Sequence, residues 1–315
     1  MAADILLVDG PHLIYRAIFT NGDLSYERNG EKVLVGGIWG FLNMLRHAHP
    51  KAGGTVVVTW EDPLRHKRSH RRSLYPEYKC KPDDEVDYGI VELRKFVRDQ
   101  QKKLMPILTF IGIPQAWAPN FEADDVIATI CKKLGGHRKI TVLTGDKDLW
   151  ALVNDNVSVM RPVGDKGKER YEIVDTETWK TGYGKFPKGH RIEPADWSLA
   201  LALMGDSADN VPGVKGIGPA YAEKIIEQVG TSMDAIIQSA KAEQIKRFSG
   251  AICEMEKQLR LNVELTRLYG DAELEFVRPS QDERATRLLF REMKFSSFLL
   301  GGDFNGIMAM GGDGW

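Results

Sequence analysis

Ile140-Thr141-Val142-Leu143-Thr144-Gly145-Asp146-Lys147-Asp148-Leu149 is the stretch from which the fold class can be read. An apolar run rich in β-branched residues ends in Gly and then in two carboxylates two positions apart. Such a run reads as a strand buried on both faces. It delivers Asp146 and Asp148 at its carboxyl end. If the chain stays extended there, the two side chains point to the same side. Acids so placed repel one another unless a cation lies between them. In open α/β sheets, ligands bind beyond the carboxyl ends of the strands. A polar loop carrying two solvated Asp would look the same, so the choice rests on whether other acids occupy comparable places.

They do. Asp4 to Gly10 is a short apolar strand that ends in Asp9-Gly10. Thr55 to Trp60 is another, followed by Glu61-Asp62. Gln115 to Ala118 reads as a strand, and Glu122, Asp124 and Asp125 follow it at the start of a helix for which Asn120 is the candidate N-cap. Three acids exceed what a helix dipole needs, and Glu122 and Asp125, at i and i+3, share a face. Helical spacing of Ile38, Phe41, Leu42 and Leu45 marks a helix over 36–49, and Leu13 to Phe19 marks a shorter one. Asn21 to Lys32 reads as polar and turn-rich. Val157 to Met160 and Tyr171 to Val174 read as a hairpin turning at 164–167. Strand and helix thus alternate over 4–160, which predicts an α/β fold: a mostly parallel central sheet with helices on both faces.

The composition is that of an ordinary globular chain: 315 residues, 43% hydrophobic, 28% charged, net charge −1. A near-zero sum can hide a basic patch balanced by an acidic site. Cys80, Cys131 and Cys253 have no CxxC spacing, which argues against a zinc site or a disulfide framework and fits a reducing compartment. No signal peptide is visible and no apolar run approaches the ~20 residues of a membrane span. A cytoplasmic protein is expected, of a bacterium or a phage-infected cell.

The basic patch lies at 65–81, where Arg65, Lys67, Arg68, Arg71 and Arg72 precede Tyr75, Tyr78, Lys79 and Lys81. Basic residues with interleaved tyrosines suit phosphate binding and base stacking, although a charged run is often only a solvated face. An amphipathic helix follows, from Asp83 to about Leu104. From about 187 the chain reads as helical. A helix from Pro194 to Met204 ends in Asp206 and Asp209, then Gly213, Lys215, Gly216 and Gly218 precede a helix over 220–228. Small residues let such a turn approach a phosphate. Helices are expected over 234–246, 251–267 and 284–300, and a loosely ordered Gly/Met-rich tail over 301–315.

Asp9, Asp62 (or Glu61), Glu122, Asp124, Asp125, Asp146, Asp148, Asp206 and Asp209 are thus candidate ligands. So many carboxylates in one cleft require cations. Oxygen donors in that number suit Mg²⁺ or Mn²⁺, and two such ions roughly 3.5–4 Å apart could drive an in-line displacement at phosphorus.

Leu6 to Gly10, Glu122 to Asp125, Thr144 to Leu149 and Met204 to Gly218 together resemble the motifs of the 5′ nuclease superfamily. That family takes in the 5′ nuclease domain of bacterial DNA polymerase I and the stand-alone phage flap endonucleases. The resemblance spans about 4–300 and includes, more weakly, Met293 to Leu299. It implies a nuclease core over 1–186 with an arch or clamp at about 63–105. It also implies a helical DNA-binding region over 187–300, with a helix–turn–helix at about 205–228. One metal cluster would comprise Asp9, Asp62, Glu122, Asp124, Asp125 and Asp146; Asp148, Asp206 and Asp209 would complete a looser one. Lys79 matches the arch lysine, with Arg71, Tyr75 and Tyr78 in matching positions; the resemblance implies catalytic roles for Lys79, Arg71 and Tyr78, and K⁺ at the helix–turn–helix. Two departures are Pro82, beside Lys81, where the family commonly has Arg, and Glu61-Asp62 where one acid is usual. The implied activity is 5′–3′ exonuclease and flap endonuclease cleavage of DNA ends, flaps and RNA primer–DNA hybrids in replication and repair. With no polymerase region after residue 300, a stand-alone nuclease is expected. A non-catalytic junction binder would lack acids at these positions, and a compact metal-dependent ribonuclease would lack the arch and the turn.

Overall fold

The computed structural model describes residues 3–62, 69–80, 88–163, 170–182 and 189–311. In chain order the first half comprises β1 (Ile5–Asp9), α1 (Gly10–Asn21), β2 (Ser25–Arg28), β3 (Glu31–Leu34), α2 (Gly36–Ala52), β4 (Thr55–Thr59) and α3 (His70–Leu74). Then come α4 (Tyr88–Ile111), β5 (Gln115–Trp117), α5 (Ala123–Leu134), β6 (Ile140–Leu143), β7 (Val157–Val163), β8 (Arg170–Val174) and α6 (Thr176–Thr181). The second half holds α7 (Trp197–Met204), α8 (Pro219–Val229), α9 (Met233–Lys241), α10 (Ser249–Glu254), α11 (Glu256–Thr266), β9 (Glu275–Val277), α12 (Glu283–Glu292), α13 (Ser296–Leu299) and α14 (Gly301–Met308).

Seven described strands form one sheet in the order β8-β7-β6-β1-β4-β5-β9. β7, β6, β1, β4 and β5 run parallel, and β8 and β9 close the edges antiparallel. The apolar runs of β1, β4 and β6 follow from this: central strands are covered on both faces. Alternation along β1 divides the core. Ile5 and Leu7 join Val57, Val142, α5 and the helices of the second half. Leu6 and Val8 face the other way, into α1, α2, α4 and the C-terminal helices. From β1 the chain crosses first to β4 and later to β6, on opposite sides. The carboxyl ends of β1 and β6 therefore flank a topological switch point, where such sheets open a crevice.

Several local expectations change. Residues 21–32 contain most of a hairpin, β2–β3, turned by Asn29 (φ 53°) and Gly30 (φ 80°); Asn-Gly is the pair such a turn requires. Glu122, not Asn120, caps α5, in a reciprocal capping box with Asp125. The helix expected over 284–300 breaks at Lys294 (φ 60°). The hairpin β7–β8 forms as read, its turn lying outside the described residues. The tail is not loose over 301–311. Phe304, Ile307 and Met310 are buried with Phe290 and Phe298 in the second core, and Arg46 of α2 pairs with Asp303. An apolar i, i+3, i+6 set hidden among glycines and methionines was the available signal.

Phe304→Ala should therefore lower stability by about 3–5 kcal/mol, read as a shift of the urea midpoint. Phe19→Ala, at a side chain 67% exposed, should stay within about 0.5 kcal/mol.

Candidate active site

Asp9, the last residue of β1, caps α1 by accepting the His12 N–H at 3.0 Å. Thr144, just past β6, donates its hydroxyl to Asp9 Oδ2 at 2.7 Å and accepts the Asp146 N–H at 3.0 Å. One hydroxyl thus fixes the acids of two neighbouring strand ends. Burial pushes the Asp9 carboxyl above its ordinary range. β6 stops at Leu143, so Asp146 and Asp148 do not share an extended strand. Instead Asp146 Oδ1 accepts the Asp148 N–H at 2.9 Å, and Asp148 opens a 3₁₀ turn. The turn leaves the two acids close enough to repel one another but gives them different further neighbours. Asp146 acts electrostatically on Asp9 and Asp124, and Asp148 feels Asp206 and Asp209. Burial, then Asp146 and Asp206, push Asp148 up to about 7. Asp124 is raised well above its ordinary value by burial, Asp146 and Asp9.

Asp125 is fully buried and fully used. Arg71 Nη1 and Nη2 reach its two oxygens at 2.7 and 2.8 Å, and the Glu122 and Tyr269 N–H groups add bonds of 3.2 and 3.0 Å. Arg71 is equally committed, donating to the Leu265 and Arg267 carbonyls at 2.8 and 2.9 Å. The arginine read as catalytic and the acid read as a ligand therefore form a buried tie. Lys79 Nζ lies 3.1 Å from Glu122 Oε2 and 3.6 Å from Asp209 Oδ2. Burial opposes its charge, but Glu122, Tyr78 and Asp209 outweigh that and hold its pKa well above the usual value. The Tyr78 hydroxyl sits between the same two acids, 3.2 Å from Glu122 and 2.8 Å from Asp209. Lys147 reaches Asp206 at 3.5 Å. No trio of acidic, His or Cys side chains among the described residues stands as a ready ligand set.

Two hollows meet at Glu122. The smaller, of about 20 Å³, is lined by Glu122, Asp124, Asp148, Asp206, Asp209 and Tyr78. Asp148 Oδ1 is buried with no hydrogen-bond partner among the described residues. The larger, of about 370 Å³, is lined by Glu61, Arg72, Lys79, Arg94, Arg98 and Glu122. Arg94 and Arg98 were not anticipated; their i, i+4 spacing on α4 was the signal. Of the two acids after β4, Glu61 faces this cleft, while Asp62 Oδ2 accepts the Asn120 N–H at 2.7 Å. Tyr75 packs toward Tyr78, Val211 and Leu265 and donates to Glu77, so it is not presented as a stacking surface. Arg65, Lys67, Arg68 and Lys81 lie outside the described residues.

α7, a Gly-rich turn and α8 form the expected helix–turn–helix. Its glycines differ in purpose. A Cβ on Gly213 would stand 1.9 Å from the Met204 carbonyl oxygen, so Gly213 allows the turn to pack on α7. Gly216 (φ 85°) and Lys215 are exposed at the tip, and Gly218 caps α8 beside open space. The acidic loop before this turn is bound to the basic segment. The Lys79 N–H donates to the Asp209 carbonyl at 2.9 Å, and Asn210 Nδ2 to the Glu77 carbonyl at 2.9 Å.

The chain matches the family described as 5′-3′ exonuclease, N-terminal resolvase-like domain, over residues 4–184, and the 5′-3′ exonuclease C-terminal SAM fold over 192–285. It belongs to the 5′-3′ exonuclease family. It is 31% identical over 302 residues to the thermostable DNA polymerase I of Thermus thermophilus, matching 94% of this chain and 32% of the polymerase. The chain thus spans about a third of that relative's length. It is 29% identical over 299 residues to a 5′-3′ exonuclease of Aquifex aeolicus, covering 92% of each. Its fold is shared by the bacteriophage T5 D15 flap endonuclease, crystallised with DNA and metal ions. The TM-score is 0.64 at 20% identity, over 84% of this chain and 89% of the other.

The raised pKa of Asp148 fixes a pH dependence. A carboxyl whose folded pKa exceeds its unfolded value of about 3.9 binds its proton more tightly when folded. Stability therefore falls as pH rises from about 4 through about 7. In EDTA, Asp148→Asn should melt a few degrees above the parent at pH 8, and the gain should vanish near pH 4. Thermal melts across pH check this.

Proposed function

We propose that this chain is a divalent-metal-dependent, structure-specific 5′ nuclease, with 5′–3′ exonuclease and flap endonuclease activity on DNA ends and single-strand/duplex junctions. The observation that carries the reading is the shared wall at Glu122, which Lys79 contacts from the basic side. A basic cleft that suits a phosphodiester backbone opens directly beside a pocket of carboxylates. The donor set fits hard cations: all oxygen, with one buried carboxylate oxygen unpaired and room for about one water-sized occupant. Asp9, Glu122, Asp124 and Asp146 would hold one ion; Asp148, Asp206 and Asp209 would hold the second. Mg²⁺ and Mn²⁺ are the ions of choice. Glu61 is placed to assist from the cleft side, and Asp125 serves by fixing Arg71. When bound, such ions supply an activated water and stabilise the leaving oxygen of an in-line displacement.

The protein's own residues divide the remaining work. Arg72, Arg94 and Arg98 offset the acidic pocket and draw the strand into the cleft. Lys79, firmly protonated, exchanges its contact with Glu122 for the scissile phosphate, where it stabilises charge in the transition state. The exposed Lys215–Gly218 turn grips duplex phosphates, with K⁺ a candidate occupant of the turn. The products are a 5′ phosphate and a 3′ hydroxyl, which suits removal of flaps and primers during replication and repair.

On a 5′-labelled flap with Mg²⁺, the parent should cleave at the junction and Asp146→Ala should not; equal cleavage by both would overturn the assignment. Lys79→Ala should lower single-turnover cleavage by about 10²-fold or more while anisotropy shows junction binding intact.

A further inference from the structure

A second group of cations stands beside the helix–turn–helix, away from the acidic pocket. The Arg247 guanidinium lies 4.8 Å from the centroid of the Tyr221 ring and 4.6 Å from that of Phe248. The two rings meet edge-on, their centroids 5.1 Å apart at 68°. Tyr221 projects from the first turn of α8 and is 43% exposed. Phe248 is buried and lies directly under the tip of the turn: a Cβ on Gly216 would be 3.7 Å from its ring. Lys246 and Arg247 are both exposed. Neither forms an ion pair or a side-chain hydrogen bond among the described residues, and Lys246 adopts a left-handed φ of 49°. That conformation is uncommon for a long side chain. The surface here has arginine held by two aromatic faces and its N–H groups left without acceptors.

An arginine fixed in this way is pre-organised for an anion. Stacking restricts the guanidinium plane, and its fork of donors matches a phosphate bidentately. Its neighbour through Phe248 is the Lys215–Gly216 tip. We propose that Arg247, supported by Lys246, is a second duplex-phosphate contact adjacent to the Lys215–Gly218 grip. The ligand is the backbone phosphodiester of double-stranded DNA. This extends the gripping surface from the turn to the segment between α9 and α10, and it rests on the reading of 205–228 as a duplex grip. Two contacts instead of one would fix the direction in which the duplex lies as well as hold it.

The test is anisotropy with a plain duplex in EDTA, so that no cleavage intervenes, over a KCl series. Each phosphate contact contributes about 0.9 to the slope of log K against log salt. Arg247→Gln should reduce the slope by about one and weaken binding about threefold to tenfold near 0.1 M salt. Arg247→Lys should restore the slope. Lys215→Ala should have its own effect of similar size, and the double variant should lose about two. If Lys215→Ala moves the slope and Arg247→Gln does not, the second contact is overturned and the grip stands. If neither moves it, the grip itself is wrong and the proposal falls with it. An Arg247→Gln effect seen with a single strand of equal length but absent with the duplex would also overturn it. Arg247 is exposed, so an unchanged melting curve should accompany the variant; a loss of fold cooperativity would show the residue to be structural and refute the assignment.

Discussion

The contact on which this structure depends is the buried pair of Arg71 and Asp125. Arg71 belongs to α3 within the basic segment, and Asp125 to the first turn of α5 in the core. The remaining guanidinium N–H groups close the chain at the end of α11, on Leu265 and Arg267. Three parts of the sequence, the outermost 196 positions apart, are thereby joined at one side chain. A buried pair gains little over an apolar substitute, yet removing one member strands a charge and typically costs about 3–5 kcal/mol. The pair works as a specification of geometry. With Arg71 seated, Tyr78 and Lys79 follow within two turns of chain and meet Glu122, the N-cap of the same helix.

The acids outnumber what Arg71 and Lys79 neutralise. Asp9, Asp124 and Asp148 are all pushed toward their protonated forms, in each case first by burial. Perturbed carboxyls in a cleft are a common mark of a functional site. Here the perturbation has a plain origin in topology. The carboxyl ends of β6, β1, β4 and β5 lie side by side; β1 ends in Asp9, and acids follow the other three within a few residues. The sheet that buries Ile5 to Val8 so well delivers like charges to one edge as a by-product of its parallel order.

That delivery was legible from residues alone, because a strand buried on both faces is an uninterrupted apolar run and its end is obvious. The four motifs and their order made the family legible as well. What stayed hidden depended on partners distant in sequence. Helical spacing puts Asp125 on the face of Glu122, but nothing local shows that Arg71 saturates it while Asp124, one position earlier, feels the other acids. The extended reading of Asp146 and Asp148 failed because a short-range hydrogen bond, from the Asp148 N–H to Asp146, replaced strand geometry with a turn. Arg94 and Arg98 were passed over because their helix was read for its apolar face. The β2–β3 hairpin and α14 carry weak local signals, a single Asn29-Gly30 pair in a polar stretch and sparse apolar spacing among glycines.

The bonds between Lys79 and the Asp209 carbonyl, and between Asn210 and the Glu77 carbonyl, have a mechanical consequence. The backbone that carries the lysine is laced to the loop that precedes the Gly213–Gly218 turn. That loop is stiffened by the reciprocal N–H···O bonds of Asp206 and Val211, at 2.8 Å each. A push on the turn is therefore a push on the lysine, transmitted through a few residues without a hinge between domains. Load on either the turn or the lysine would be felt at a single short splice of chain.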